Sequence, residues 1–136
     1  MRVVLDTNVL LAALISPAGS PARIYEAWKL GRFDLLTSAE QLDELGRVTR
    51  YATIRPLITA SEAGRMVNQI RALATLIVPS RAPKVSPDPA DDFLFAIAES
   101  ARADYIVTGD KSGVLKVRKH GGTRVLTVAQ FVALLE

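Results

Sequence analysis

The sequence predicts an α/β layered fold with a largely parallel sheet, and three observations carry that prediction. Short apolar runs alternate with helical patterns along the whole chain. The first run is unbroken, as expected of a parallel strand covered on both faces. The chain has 136 residues, 49% apolar and 23% charged, the size and composition of one globular domain spanning 1–136.

The elements follow in order. Arg2-Val3-Val4-Leu5-Asp6 reads as a short buried strand. Thr7-Asn8 leads into an apolar helix, Val9 to Ile15. Ser16 to Gly19 is a loop, and Ser20-Pro21 supplies an N-cap and a proline at the first helical position of a helix reaching about Leu30. Phe33 to Thr37 is a second strand; Ser38 with Gln41 forms a capping box for a helix to about Arg50. A further helix runs from Thr59 or Ser61 to about Leu73, and Thr75 to Pro79 is a third strand. Pro83, Pro87 and Pro89 impose a loop before a helix from about Ala90 to Ala101. Tyr105 to Thr108 and Arg124 to Leu126 are the last strands, and Thr127 with Gln130 caps a final helix, Val128 to Leu135. The sheet therefore has four to five strands.

Composition removes several chemistries. There is no cysteine, so disulfides and thiol catalysis are excluded, and one histidine (His120) leaves a conventional zinc site without ligands. No apolar run approaches a membrane span, and the first residues lack a signal peptide's apolar core. The expected compartment is the cytoplasm, with no membrane partner.

In open α/β sheets, sites form beyond the carboxyl ends of the strands. Asp6 ends the first strand and Asp110 follows the fourth. Asp88, Asp91 and Asp92 lie at the start of the helix that feeds the fourth strand, on the same rim. Glu44 lies about two turns into a helix that also begins at this rim; Glu40 and Asp43 are its rivals. Converging carboxylates repel one another unless a cation neutralises them, and oxygen ligands of this kind suit Mg²⁺ or Mn²⁺. Such an ion favours hydrolysis of a phosphodiester. Net charge is +3, and setting Asp6, Glu44, Asp91 and Asp110 aside leaves 17 bases facing ten acids. An acidic centre in a basic surround suits a polyanionic substrate. Arg47, Arg50 and Arg55 form one basic grouping; Lys111, Lys116, Arg118 and Lys119 form another.

These residues resemble a known family. Val3-Val4-Leu5-Asp6-Thr7-Asn8-Val9-Leu10-Leu11 is similar to the opening of PIN-domain nucleases. Asp88-Pro89-Ala90-Asp91-Asp92, and then Ala103 to Asp110, resemble their third and fourth acidic motifs. The group most resembled is the VapC-like toxin component of bacterial toxin–antitoxin pairs. The resemblance implies a three-layer α/β/α sandwich with a mainly parallel sheet, and a Mg²⁺- or Mn²⁺-dependent endoribonuclease. Carried over by position, Asp6, Glu44, Asp91 and Asp110 are the catalytic, metal-holding acids. Asn8 and Thr108 occupy supporting polar positions, and Asp92 is able to share the role of Asp91. The resemblance further implies an RNA substrate, a protein antitoxin and a homodimer. The chain departs from the family pattern after Asp110, where Lys111-Ser112-Gly113 precedes Val114-Leu115.

Each motif alone has a plainer reading. Asp6 and Asn8 are good helix caps, acids at Asp88 to Asp92 favour a helix N-terminus, Glu44 suits a solvated helix face, and Gly109-Asp110 suits a turn. Four at one rim point instead to a site. His120 reads as a loop residue, Trp28 with Tyr25 as core, and Arg65 and Arg71 as a wet helix face. Two other functions compete: a haloacid-dehalogenase-type phosphatase with Asp6 as nucleophile, whose second aspartate is replaced by Asn8, and a non-catalytic module that binds RNA or protein.

Overall fold

Val3, Val4 and Leu5 are all buried, yet alternate residues enter different cores. A strand sends successive side chains to opposite faces, so an unbroken apolar run requires cover on both. The computed structural model, describing residues 1–109 and 113–136, supplies that cover.

The elements are β1 (Arg2–Leu5), α1 (Thr7–Ile15), α2 (Ser20–Lys29), β2 (Asp34–Thr37), α3 (Ala39–Val48), α4 (Ala60–Leu73), β3 (Thr75–Leu76), α5 (Asp92–Ala101), β4 (Tyr105–Thr108), β5 (Lys119–His120), β6 (Thr123–Thr127) and α6 (Val128–Leu135). Short 3₁₀ turns occupy Pro89–Asp91 and Val114–Val117. The sheet order is β3-β2-β1-β4-β6-β5, parallel except for the β5–β6 pair. Among the described residues it has six strands rather than four to five. The additional one, Lys119–His120, is a two-residue polar strand beside a Gly121-Gly122 turn, too short for an apolar pattern to reveal.

Helices α1, α2, α3, α4 and α6 bury Leu10, Ile24, Trp28, Leu45, Ile70 and Phe131 against Val3, Leu5, Leu35 and Val107. Helix α5 covers the other face, packing Leu94, Phe95, Ile97 and Ala98 on Val4, Leu36, Ile106 and Val125, with Val114 of the second 3₁₀ turn beside it. The result is the three-layer α/β/α sandwich. From β1 the chain builds outward through β2 and β3, then crosses over α5 to place β4 on β1's other side. Strand order thus reverses between β1 and β4, the point at which open α/β sheets place a site beyond the strands' carboxyl ends, here called the crevice.

Two caps differ from the sequence reading. Ser20 is already helical in α2, and Gly19 stands at the N-cap without a side-chain bond, so Pro21 sets the start by its fixed φ. Ser38 Oγ does accept from the Gln41 backbone N–H at 3.2 Å, but the Gln41 side chain does not complete a capping box. It turns inward, with consequences for the site. The final helix carries both halves of its box, between Thr127 and Gln130.

Candidate active site

Asp6 sits where β1 becomes α1, at the reversal point. Its backbone N–H donates to the Val107 carbonyl of β4 at 2.9 Å, continuing the sheet by one residue. Its own carbonyl accepts from Val9 at 2.8 Å and so opens α1. The residue is clamped from both sides and only 5% exposed. Its carboxylate is also held. Thr108 Oγ1, fully buried at the end of β4, donates to Asp6 Oδ2 at 2.8 Å. The Asn8 backbone N–H donates to Oδ1 at 3.3 Å, an N-cap bond. The capping reading of Asp6 and its place at the rim are therefore both realised. Asn8 supports Asp6 through its main chain; its side chain is exposed and makes no hydrogen bond among the described residues.

Helix rotation decides among the acids of α3. Glu40 and Asp43 face solvent. Glu44 is half-buried, and Thr7 Oγ1 donates to its Oε2 at 3.4 Å. Its carboxyl is pushed above the ordinary carboxylate range, first by burial and then by the negative charge of Asp6; Glu40 adds to this, and the Thr7 hydroxyl and Arg47 oppose it. The negative charge of Asp6 thus works against ionisation of Glu44. Both offer hard oxygens, and a divalent cation between such groups removes the penalty. The donor set at this point fits Mg²⁺ or Mn²⁺ better than a softer metal.

Sequence reasoning missed the residue that aims this pair. Gln41 is 1% exposed. Its Nε2 donates to the Leu5 carbonyl at 2.6 Å and lies 3.5 Å from Thr7 Oγ1, and its Oε1 accepts from Thr37 Oγ1 at 2.7 Å. A buried polar chain runs from β2 through α3 to the end of β1, and on to Glu44 through Thr7. A signal existed: Gln41 precedes Leu45 by four residues, which puts it on the buried stripe of α3.

The remaining acids divide. Asp88 Oδ1 accepts from the Ala90 N–H at 3.0 Å and caps the 3₁₀ turn. Asp91 is half-buried and stands at the junction of that turn with α5. Asp92 is engaged elsewhere. Its Oδ1 accepts from Val85 and Ser86 N–H at 3.0 and 2.7 Å, fastening the proline-rich segment to the helix. These bonds give Asp92 a structural task through Oδ1. Asp110 lies outside the described residues. Among the described residues, no three histidine, aspartate or glutamate side chains are near enough together to hold a metal ion.

Other residues fall as follows. Tyr25 and Trp28 are buried edge-to-face, with ring centroids 5.3 Å apart, and burial lifts the Tyr25 phenol to about 12. His120 stands on β5 with Nε2 2.9 Å from Glu99 Oε2 and its ring against Phe95. No helix among the described residues is long and apolar enough to cross a membrane.

The family model of the PIN domain matches residues 2–112, which include the whole acid constellation from Asp6 to Asp110. The chain belongs to the PIN-domain family. PIN domains form a superfamily of nucleases. This PIN domain is also similar to the uncharacterized protein MJ1680 of Methanocaldococcus jannaschii, at 28% identity over 112 residues, 82% of this chain and 72% of the relative.

Proposed function

We propose that this PIN domain is a Mg²⁺- or Mn²⁺-dependent endoribonuclease, the toxin of a toxin–antitoxin pair that acts as a homodimer restrained by a protein antitoxin. The supporting observation is the Thr108–Asp6 and Thr7–Glu44 arrangement at the reversal point between β1 and β4. Asp6, Glu44, Asp91 and Asp110 are the residues that would hold the ion. When bound, it supplies charge stabilisation at the phosphoryl group and makes water a stronger nucleophile at neutral pH. Thr108 and the Asn8 N–H fix both oxygens of Asp6, so little reorganisation is needed on binding. Thr7 and Gln41 hold Glu44 toward it. Membership of a nuclease family weighs against the aspartyl-phosphate phosphatase reading.

The test is cleavage of RNA by the purified chain in Mg²⁺ or Mn²⁺, with EDTA and Asp6→Asn as controls. Asp6→Asn keeps an oxygen for Thr108 and is expected to fold normally while losing at least about 10³-fold in rate. Full cleavage by the variant, once contaminating nuclease is removed, would overturn the assignment. Induction in cells tests the toxin role. The native chain should arrest growth and degrade RNA, and Asp6→Asn should do neither.

A further inference from the structure

At the end of the sheet remote from β3, a groove of about 580 Å³ is lined by Lys116, Arg118, Lys119, Arg124, Thr127 and Gln130. Its charged residues are all cationic. Among the described residues none of the four forms an ion pair with a carboxylate. Lys119 and Arg124 stand directly opposite each other in the β5–β6 ladder, so two like charges share one face. Such a pair destabilises a sheet unless an anion sits between its members. The backbone bends to place a third charge beside them. Arg118 adopts φ 62°, ψ −44°, a positive-φ conformation that is costly for any residue with a Cβ, between the 3₁₀ turn and β5. The repulsion concentrated in this groove is a cost that a polyanion would offset.

The groove also leads to the acids. Thr127, at its upper end, pairs with Thr108 across β6 and β4, and Thr108 holds Asp6. Neighbouring strands are about 4.8 Å apart, so Thr127 stands one strand away from Thr108. The second cleft, between α3 and α4, has Arg50 and Arg55 but also Glu62 and the apolar Leu57, Ile58 and Val67. It lacks the unbroken positive lining.

We infer that the Lys116–Arg118–Lys119–Arg124 groove is a phosphate track that delivers the backbone of single-stranded RNA to the Asp6–Glu44 crevice. The inference rests on the ribonuclease reading for its substrate and is tested apart from cleavage. Binding of a fluorescent single-stranded RNA is measured by anisotropy in EDTA over a range of salt, for the native chain, for Lys116→Glu/Lys119→Glu/Arg124→Glu and for the corresponding glutamine variant. An Arg65→Glu/Arg71→Glu chain, altered on the exposed face of α4, serves as control. All the substituted side chains are exposed, and circular dichroism checks the fold.

The groove variants should bind about tenfold or more weakly, and the logarithmic salt slope should fall by about 2, near 0.7 per lost phosphate contact. The control should stay within about twofold of native. Equal affinity in all variants would overturn the inference, as would native binding of polyglutamate as tight as that of RNA. Unaltered RNA binding with new self-association would show instead that these cations only guard the sheet edge. Groove-dependent binding by a chain that cuts no RNA would leave the track standing and remove the nuclease.

Discussion

The two segments that carry the candidate acids are built differently. Asp6 and Glu44 are aimed by residues that are themselves parts of the sheet and of a long helix: Thr108 at the end of β4, Thr37 at the end of β2, and Gln41 in the first turn of α3. Asp91 stands on a 3₁₀ turn at the end of a proline-rich segment. That segment is held to α5 by the Asp92 carboxylate, by Ser100 on Ser80, and by Glu99 on Arg81. One half is preorganised by buried hydrogen bonds, which are costly to break. The other depends on surface ties, which solvent weakens. Adjacent acids therefore sit differently: Asp92 is bound into the tie, and Asp91 stands half-buried at the head of α5.

Breaking the second half tests that division most sharply. Asp91→Asn should lower cleavage by about 10²-fold or more with little change in stability. Asp92→Ala should do the reverse. It frees two backbone N–H groups, costs about 1–2 kcal/mol, and raises hydrogen exchange chiefly in residues 80–89. Equal losses of activity in the two variants, without a change in exchange, would erase the distinction.

In the first half, Gln41→Ala strands the Leu5 carbonyl and the Thr37 hydroxyl in the core. A loss of about 2–3 kcal/mol in urea unfolding is expected, with slower cleavage at unchanged RNA affinity. Retained stability would mean that the buried chain does not preorganise the site.

The smallest expected effect is electrostatic. Glu44 has a raised pKa in the folded chain. The folded state therefore retains this proton at pH values where the unfolded chain has released it, and stability falls as pH rises from the ordinary carboxylate range through the raised value. Glu44→Gln should raise Tm of the metal-free protein at neutral pH by on the order of 1–2 °C, after allowance for solvent screening. The gain should vanish once the medium is acidic enough to protonate Glu44 in both states. A gain independent of pH would point to packing rather than charge.

Much of this was legible in the chain. Apolar runs and caps locate five strands and the helices, because burial on both sheet faces and N-cap chemistry leave local marks. Rim acids are legible because parallel topology fixes which end of each element they occupy. The two-residue strand β5 was not, since its pairing comes from the β6 ladder rather than from its own residues. Gln41 was mistaken for half of a capping box because its inward rotamer is set by Leu5 and Thr37, partners distant or unremarkable in sequence. The division between Asp91 and Asp92 depends on where Val85 and Ser86 fold back, which no local pattern encodes.

The cover that α5 gives to one face of the sheet has a consequence for how the protein evolves. Asp91 rides at the head of a helix whose seat is set by Leu94, Phe95 and Ile97, all without solvent exposure. Trimming or enlarging one of those hidden side chains would slide the helix on its bed and carry the acid with it. The position of Asp91 can thus be retuned from the interior, by changes of size that leave every charged residue as it was.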